Sequence, residues 1–285
     1  MLLLGLMGAE IGAGIAAGSL ALLADAGHML TDAGALGFAL VAAALAGRPA
    51  GGSWTFGFRR LEVLAAQANG LTLVLAAIWV VYSAVRRLVD PPEVHAWIVL
   101  VVAVAGIAVN LVATAVLARS SRESINIRGA YVHVATDLAA FAGTAAAAAL
   151  ILATGWDRFD PLAGLAVAAL MLWGGVGLLR DSGRIFLERS PDDIDPDDVR
   201  AALVSADDVV GVHDLHVWTV TSGFTALSAH VLVPAGADCH AARGRLEQLL
   251  AERFGVTHTT LQVEHERRRL GTRLTLPILH HSRRR

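Results

Sequence analysis

Lysine is absent from this chain, and all 23 basic residues are arginine. A Walker A loop needs a lysine against the β/γ-phosphates, so P-loop ATP hydrolysis is excluded, as is any lysine Schiff-base chemistry. Cysteine occurs once, at Cys239. That excludes an intrachain disulfide framework and a multi-cysteine zinc finger. Charge of either sign is scarce: 17% of the 285 residues are charged, against about 25% in soluble globular chains. The net charge of −2 argues against nucleic acid as a partner, which would call for a clustered basic face.

The shortage of charge is uneven. Residues 1–189 hold long apolar runs with isolated charges, whereas residues 190–285 hold 13 of the 25 acidic residues, 11 of the 23 arginines and 8 of the 11 histidines. A membrane part followed by a soluble part fits this split. A bilayer core of about 30 Å takes about 20 mainly apolar residues in a helix. Six stretches qualify or nearly do: about 2–18, 20–46, 61–85, 96–118, 131–153 and 161–179. The first lacks the basic start of a signal peptide, and its apolar pattern continues into the second, so it reads as a span. With the N-terminus in the cytoplasm, nine arginines from Arg48 to Arg189 fall on the inner side. Only Arg86, Arg87 and Arg158 fall outside. The positive-inside rule therefore puts both termini in the cytoplasm.

Ionisable residues inside spans are costly, about 2.5–3.5 kcal/mol for Asp at a helix centre, and mark function by default. Here they repeat. The second span carries His28 and Asp32, and the fifth carries His133 and Asp137. The His-x-x-x-Asp spacing puts both side chains on one helix face, with Cβ atoms about 5–6 Å apart. Two such faces together offer two imidazoles and two carboxylates, a four-coordinate set suited to tetrahedral Zn²⁺. The two carboxylates cancel the charge of the dication. The plainer alternative is that each His hydrogen-bonds its own Asp; two pairs in separate spans argue against it.

Ser19–Gly37 (SLALLADAGHMLTDAGALG), Thr55–Gly70 (TFGFRRLEVLAAQANG), Asn126–Asp137 (NIRGAYVHVATD) and Val212–Val231 (VHDLHVWTVTSGFTALSAHV) resemble the cation diffusion facilitator family of metal/proton antiporters. The resemblance runs from about Leu2 to Glu264. It implies a homodimer that exports Zn²⁺, an α-helical membrane protein of six transmembrane helices followed by a small α+β ferredoxin-like (αββαβ) cytoplasmic domain. Carried over position by position, it implies the same transport site, His28, Asp32, His133 and Asp137. The His-Asp with His-Asp pairing goes with zinc selectivity in the family, and an imidazole at His28 disfavours Mg²⁺, Ca²⁺ and Mn²⁺ chemically.

Other polar groups in the spans leave alternatives open. Glu10 is either a proton relay or a packed, protonated carboxyl. Asp25, three residues before His28, either orients that imidazole or lies near the outer boundary in water. Asn69 and Asn110 read as interhelical hydrogen-bonding groups, since amides are poor Zn²⁺ ligands. Glu62, beside Arg59 and Arg60, reads as one half of an interfacial ion pair.

Three regions follow: 1–189 for cation transport, 190–268 for a cytoplasmic domain, and 269–285 for a basic, disordered tail able to touch anionic lipid. In the second region, Asp195-Pro196 starts a helix and Ser222-Gly223 turns a hairpin between two strands. Residues 238–254 form an amphipathic helix and 258–265 a third strand. Strand alternation puts His213 and His216 on opposite faces, while His213 and His230 lie on paired strands. Family members bind regulatory Zn²⁺ at the positions of His213, His230, Gln262 and Glu264. The glutamine departs from relatives that have His there. The expectation is therefore a single ion held by His213, His230 and Glu264, against the alternative of ordinary surface histidines. The loop between the second and third spans, 47–58, lacks His, Asp, Glu and Cys, so the family's site there is expected to be missing. Residues 120–126 replace the His-rich loop of some eukaryotic relatives, which points to a bacterial-type member in the inner membrane.

Zn²⁺ is thus expected as substrate and as cytoplasmic regulator, with protons, the bilayer and a second copy of the chain as partners. No enzymatic activity is expected. Two rival readings are an intramembrane metallohydrolase and a non-transporting zinc sensor. The first needs an open zinc position and usually His-Glu-x-x-His, which does not occur. The second leaves the membrane pairs unexplained.

Overall fold

The computed structural model describes residues 2–46, 48–118 and 125–266. The basic tail beyond 266 and residues 120–124 of the loop before the fifth helix lie outside the described residues. The chain divides into two compact units, one ending at Leu187 and one beginning at Glu188.

The first unit is entirely helical: α1 Leu2–Ala17, α2 Leu20–Ala46, α3 Leu61–Val89, α4 Ala96–Ala118, α5 Ile125–Thr154 and α6 Phe159–Phe186. Three stretches within it, Leu61–Val89, Thr136–Thr154 and Phe159–Phe186, are long and apolar enough to cross a membrane among the described residues. Several helices outrun their apolar windows. The arginines in the last turns of α3 and α6, Arg86, Arg87 and Arg184, suit a helix C-terminus, where cations meet the negative end of the dipole. The turn between α1 and α2 requires glycine: Gly18 has φ +67°, and a Cβ there would stand 3.1 Å from the Glu93 carbonyl oxygen.

Packing inside this unit rests on close backbone approach. The Gly70 and Gly175 positions of α3 and α6 face each other, each with an imagined Cβ 3.0 Å from the other's carbonyl oxygen. Small residues at a crossing let helices approach where lipid supplies no hydrophobic drive. On α3 the buried stripe is Val63, Gly70, Leu73, Ala77, Val80 and Ala84, spaced at three, four and seven residues as one helix face. Its opposite side exposes Leu75, Ile78, Trp79 and Tyr82, as a lipid-facing surface does. One expectation changes here. Asn110 is buried, but its amide donates to the Gly106 carbonyl of its own helix, at 3.2 Å.

The second unit runs α7 Pro196–Val204, β1 Gly211–Thr221, β2 Phe224–Val233, α8 Cys239–Phe254 and β3 His258–His265, in the order α-β-β-α-β. Its sheet has strand order β1-β2-β3; β1 and β2 are antiparallel, and β3 returns parallel to β2. Asp195 caps α7 by accepting from Asp197 N, with Pro196 at the first helical position, where its missing N–H costs nothing. Gly223 takes φ +71° in the hairpin turn. Val199, Leu203, Leu246 and Leu250 of the two helices pack with Leu227 and Val231 of the sheet as one core.

The strand β1 is not regular. Between His213 and His216 the pairing slips: His213 stands opposite His230, but His216 stands opposite Ser228. A bulge holds the extra residue, and Asp214 inside it takes φ +53°. Since residues 230 and 228 share a face of β2, His213 and His216 share a face of β1. This corrects the expectation of opposite faces. Strict period-two counting fails across a bulge because one residue drops out of the alternation.

Candidate functional site

The α2 helix presents His28 and Asp32 one turn apart, with His28 Nε2 at 3.6 Å from Asp32 Oδ2. On α5, Asp137 is buried, and its Oδ1 lies 3.9 Å from the same His28 nitrogen. One imidazole nitrogen thus stands between carboxylates of two helices, from aspartates more than a hundred positions apart in the chain. A tetrahedral Zn²⁺ with bonds of about 2.0–2.1 Å holds its donors about 3.3–3.4 Å apart, so these separations are wider than a loaded site by a few tenths of an ångström. Among the described residues, no three His, Cys, Asp or Glu side chains already form a metal cage. His133 lies on α5 one turn before Asp137, and its side chain lies outside the described residues.

Further negative groups gather nearby. Glu10 on α1 is fully buried, and neither of its carboxyl oxygens has a hydrogen-bond partner among the described residues. Asp25 is 2% exposed, and its Oδ2 is likewise without a partner there. It lies away from water, against one of the two expectations for it. Glu10 feels the charges of Asp25 and Asp137, and Asp25 feels those of Asp137 and Asp32. Four carboxyl groups from three helices are therefore within electrostatic reach of one another. Leaving such charges uncompensated in a low-dielectric interior is expensive, and a cation or protons would relieve it.

The structure adds an acidic residue that sequence reasoning passed over. Asp160, in the first turn of α6, is 1% exposed and bonds to Ser19, Leu20 and Ala21 at the start of α2. The signal was available: an Asp immediately before the Pro161 that opens the sixth apolar run.

In the second unit the rings of His213 and His230 lie 5.1 Å apart, centroid to centroid. Gln262 is the register partner of His230 on β3, so His213, His230 and Gln262 form a row across all three strands. Glu264 is one row further along the same face and accepts a hydrogen bond from the Gln262 amide. The pair expected to meet does so. The carboxylate expected beside them is reached through the glutamine.

Residues 1–187 match the cation efflux transmembrane domain, and residues 191–266 match the cytoplasmic domain of cation efflux proteins. The chain belongs to the cation diffusion facilitator family. Among its relatives is the cadmium, cobalt and zinc/H⁺-K⁺ antiporter of Bacillus subtilis, 37% identical over 270 residues, covering 93% of this chain and 87% of the relative. The metal cation efflux system protein CzcD of Cupriavidus metallidurans is 39% identical over 257 residues, 90% of this chain and 81% of that one. The zinc transporter ZitB of Escherichia coli is 36% identical over 264 residues, 92% and 84% of the two chains. This cation diffusion facilitator is accordingly an integral membrane protein of cation efflux, with a helical membrane domain and a cytoplasmic domain built on a three-stranded sheet. Neither rival reading, hydrolase or sensor, finds support among these relatives.

Proposed function

We propose that this protein exports Zn²⁺ in exchange for protons by alternating access, with His28, Asp32, His133 and Asp137 as the transport site. The observation that carries the proposal is the His28 imidazole set 3.6 and 3.9 Å from the Asp32 and Asp137 carboxylates of two different helices. Relatives named as zinc antiporters and zinc transporters support the choice of cargo and exchange partner. All six helices of the membrane domain span the bilayer, and both termini face the cytoplasm of a bacterial inner membrane, as the arginine distribution requires.

Zn²⁺ enters from the cytoplasm and displaces protons from the imidazoles, which bind metal only when neutral. Two carboxylates and two neutral imidazoles leave the loaded site without net charge, so it can rearrange within a low-dielectric bundle. When the site opens outward, protons compete for the same nitrogens and release the metal. Glu10 and Asp25, buried beside the site, exchange protons with it or orient it. The cytoplasmic domain holds two copies of the chain together and binds a regulatory Zn²⁺ through His213, His230 and Glu264, with Gln262 between them. The functional regions are 1–189 for transport and 190–268 for regulation and dimerisation, with a basic tail over 269–285.

Zinc flux into proteoliposomes under a fixed pH gradient tests the site. Asp137→Ala and His133→Ala are expected to slow it by more than about 100-fold, since even an outer partner of a metal ligand costs 10–100-fold. Wild-type flux in either variant removes the residue from the site.

A further inference from the structure

The α2 helix carries half of the transport site, yet nothing local satisfies its first amides except Ser19. The Ser19 hydroxyl accepts from Leu22 N at 3.2 Å, as an N-cap does. The remaining donors go to a residue about 140 positions away. Asp160, at the start of α6, accepts from Leu20 N at 2.7 Å and from Ser19 Oγ at 2.5 Å, with Ala21 N at 3.4 Å. Arg87, near the end of α3, completes the joint. Its Nη1 lies 3.7 Å from Asp160 Oδ2 and donates to the Gly18 carbonyl at 2.5 Å. One buried carboxylate thus ties the end of α1 and the start of α2 to α3 and α6. Ser19 and Leu20 are fully buried and Ala21 is 1% exposed, so water cannot stand in for the lost acceptor.

From these contacts we infer that Asp160 is a positioning residue for metal binding, one that sets where α2 presents His28 and Asp32. His28 and Asp32 follow Leu20 by eight and twelve residues, about 12 and 18 Å along the helix at 1.5 Å per residue. Asp137, the other half of the site, is on α5, which reaches α6 through the short link 155–158. The start of α6 therefore grips α2 from the hairpin that carries Asp137. Holding α2 by its first turn fixes its axial position and rotation against α5, which is what keeps one imidazole within reach of carboxylates on both helices. A ligand set spread over two helices binds metal only as well as the helices are registered.

The inference rests on the transport site proposed above, and Asp32→Ala measured alongside separates the two. Full-length protein in vesicles is assayed for initial zinc flux against zinc concentration, with rates expressed per folded transporter. Asp160→Ala is expected to raise KM for zinc by about tenfold, the low end of the cost of losing support for a metal ligand, with Vmax nearly unchanged. Asp160→Asn keeps one acceptor for Leu20 N and should fall between Asp160→Ala and the wild type. Ser19→Ala should shift KM the same way but less, and the Asp160→Ala/Ser19→Ala pair should be less than additive because both break one joint. A purely structural anchor would lower the yield of folded transporter and leave KM alone, and an unchanged KM throughout overturns the inference. If Asp160→Ala does not fold, Asp160→Asn and Ser19→Ala decide the matter on the same KM criterion. Wild-type flux in Asp32→Ala sinks the site itself; an inactive Asp32→Ala with wild-type KM in the Asp160 variants sinks only the positioning role.

Discussion

Asp238 shows how much one side chain can settle locally. It precedes α8, and its Oδ1 accepts from His240 N at 2.9 Å and from Ala241 N at 3.1 Å. The Ala241 amide first, and the His240 amide with it, hold its carboxyl below the ordinary carboxylate range. A depressed folded pKa means the ionised form supports the native state. That support is complete above the unfolded value of about 3.9 and is lost as pH falls through the lower folded value. Protection of the His240 and Ala241 amides against hydrogen exchange should therefore fall, and their exchange approach the intrinsic rate, as pH drops below about 4, and Asp238→Asn should show no such step. Protection that is flat with pH in the wild type would count against the cap. Caps of this kind are legible in sequence because donor and acceptor are two or three residues apart; Asp195-Pro196 is another. Asp160 makes the same bonds to α2 from the far side of the chain, and no local pattern reveals such a partner.

Between helices, the tightest contact described is that of α4 with α5. A Cβ on Gly106 would come within 2.3 Å of the Phe141 ring, and Phe141 is 1% exposed, one turn beyond Asp137 on α5. Replacing Gly by Ala inside a helix ordinarily gains about 0.5–1 kcal/mol in backbone entropy. Overpacking a filled site costs about 1–3 kcal/mol, so here the steric cost prevails. Gly106→Ala should lower the melting temperature of the purified protein and slow zinc flux, and Phe141→Leu in the same chain should restore part of both. Gly143→Ala, with open space around its position, is the control and should keep the ordinary helix gain, leaving the protein as stable as the wild type or slightly more so. A Gly106→Ala protein as stable as that control would mean α4 and α5 do not meet this way. These elements show what sequence can and cannot convey. Apolar runs and turn residues locate six helices and the α-β-β-α-β order. Helix ends run further because arginine-bearing turns remain helical. The face shared by His213 and His216 depends on a bulge, which hydropathy alternation does not register. At the candidate site, the repeated His-x-x-x-Asp made the two faces readable. That Asp32 and Asp137 both approach His28, and that Glu10 and Asp25 are buried, required the packing of α1, α2 and α5.

For the whole protein the question is what drives export. The chain has no lysine and hence no Walker A loop, and its relatives include an antiporter, which works by exchanging ions. In the membrane unit Asp32 and Asp137 flank the His28 imidazole, and Glu10 and Asp25 are buried in the same unit. A divalent cation arriving there must expel protons, because imidazole binds metal only when neutral. Zinc added outside inverted vesicles, on the face equivalent to the cytoplasm, should therefore release protons to that side as it binds and then carry lumenal protons out as it cycles. A trapped pH dye would report lumenal alkalinisation that depends on zinc. Zinc uptake should be fastest with an acidic lumen and should collapse when an H⁺/K⁺ exchanger dissipates the gradient. On the zinc-loading side, rates should fall as the medium is acidified, because protons and metal compete for the same nitrogens. Asp137→Asn should abolish both the zinc signal and the proton signal, since one carboxylate serves both ions. Zinc flux that persists without any movement of lumenal pH would show that metal and protons do not share this site, and the exchange would have to be assigned to another ion.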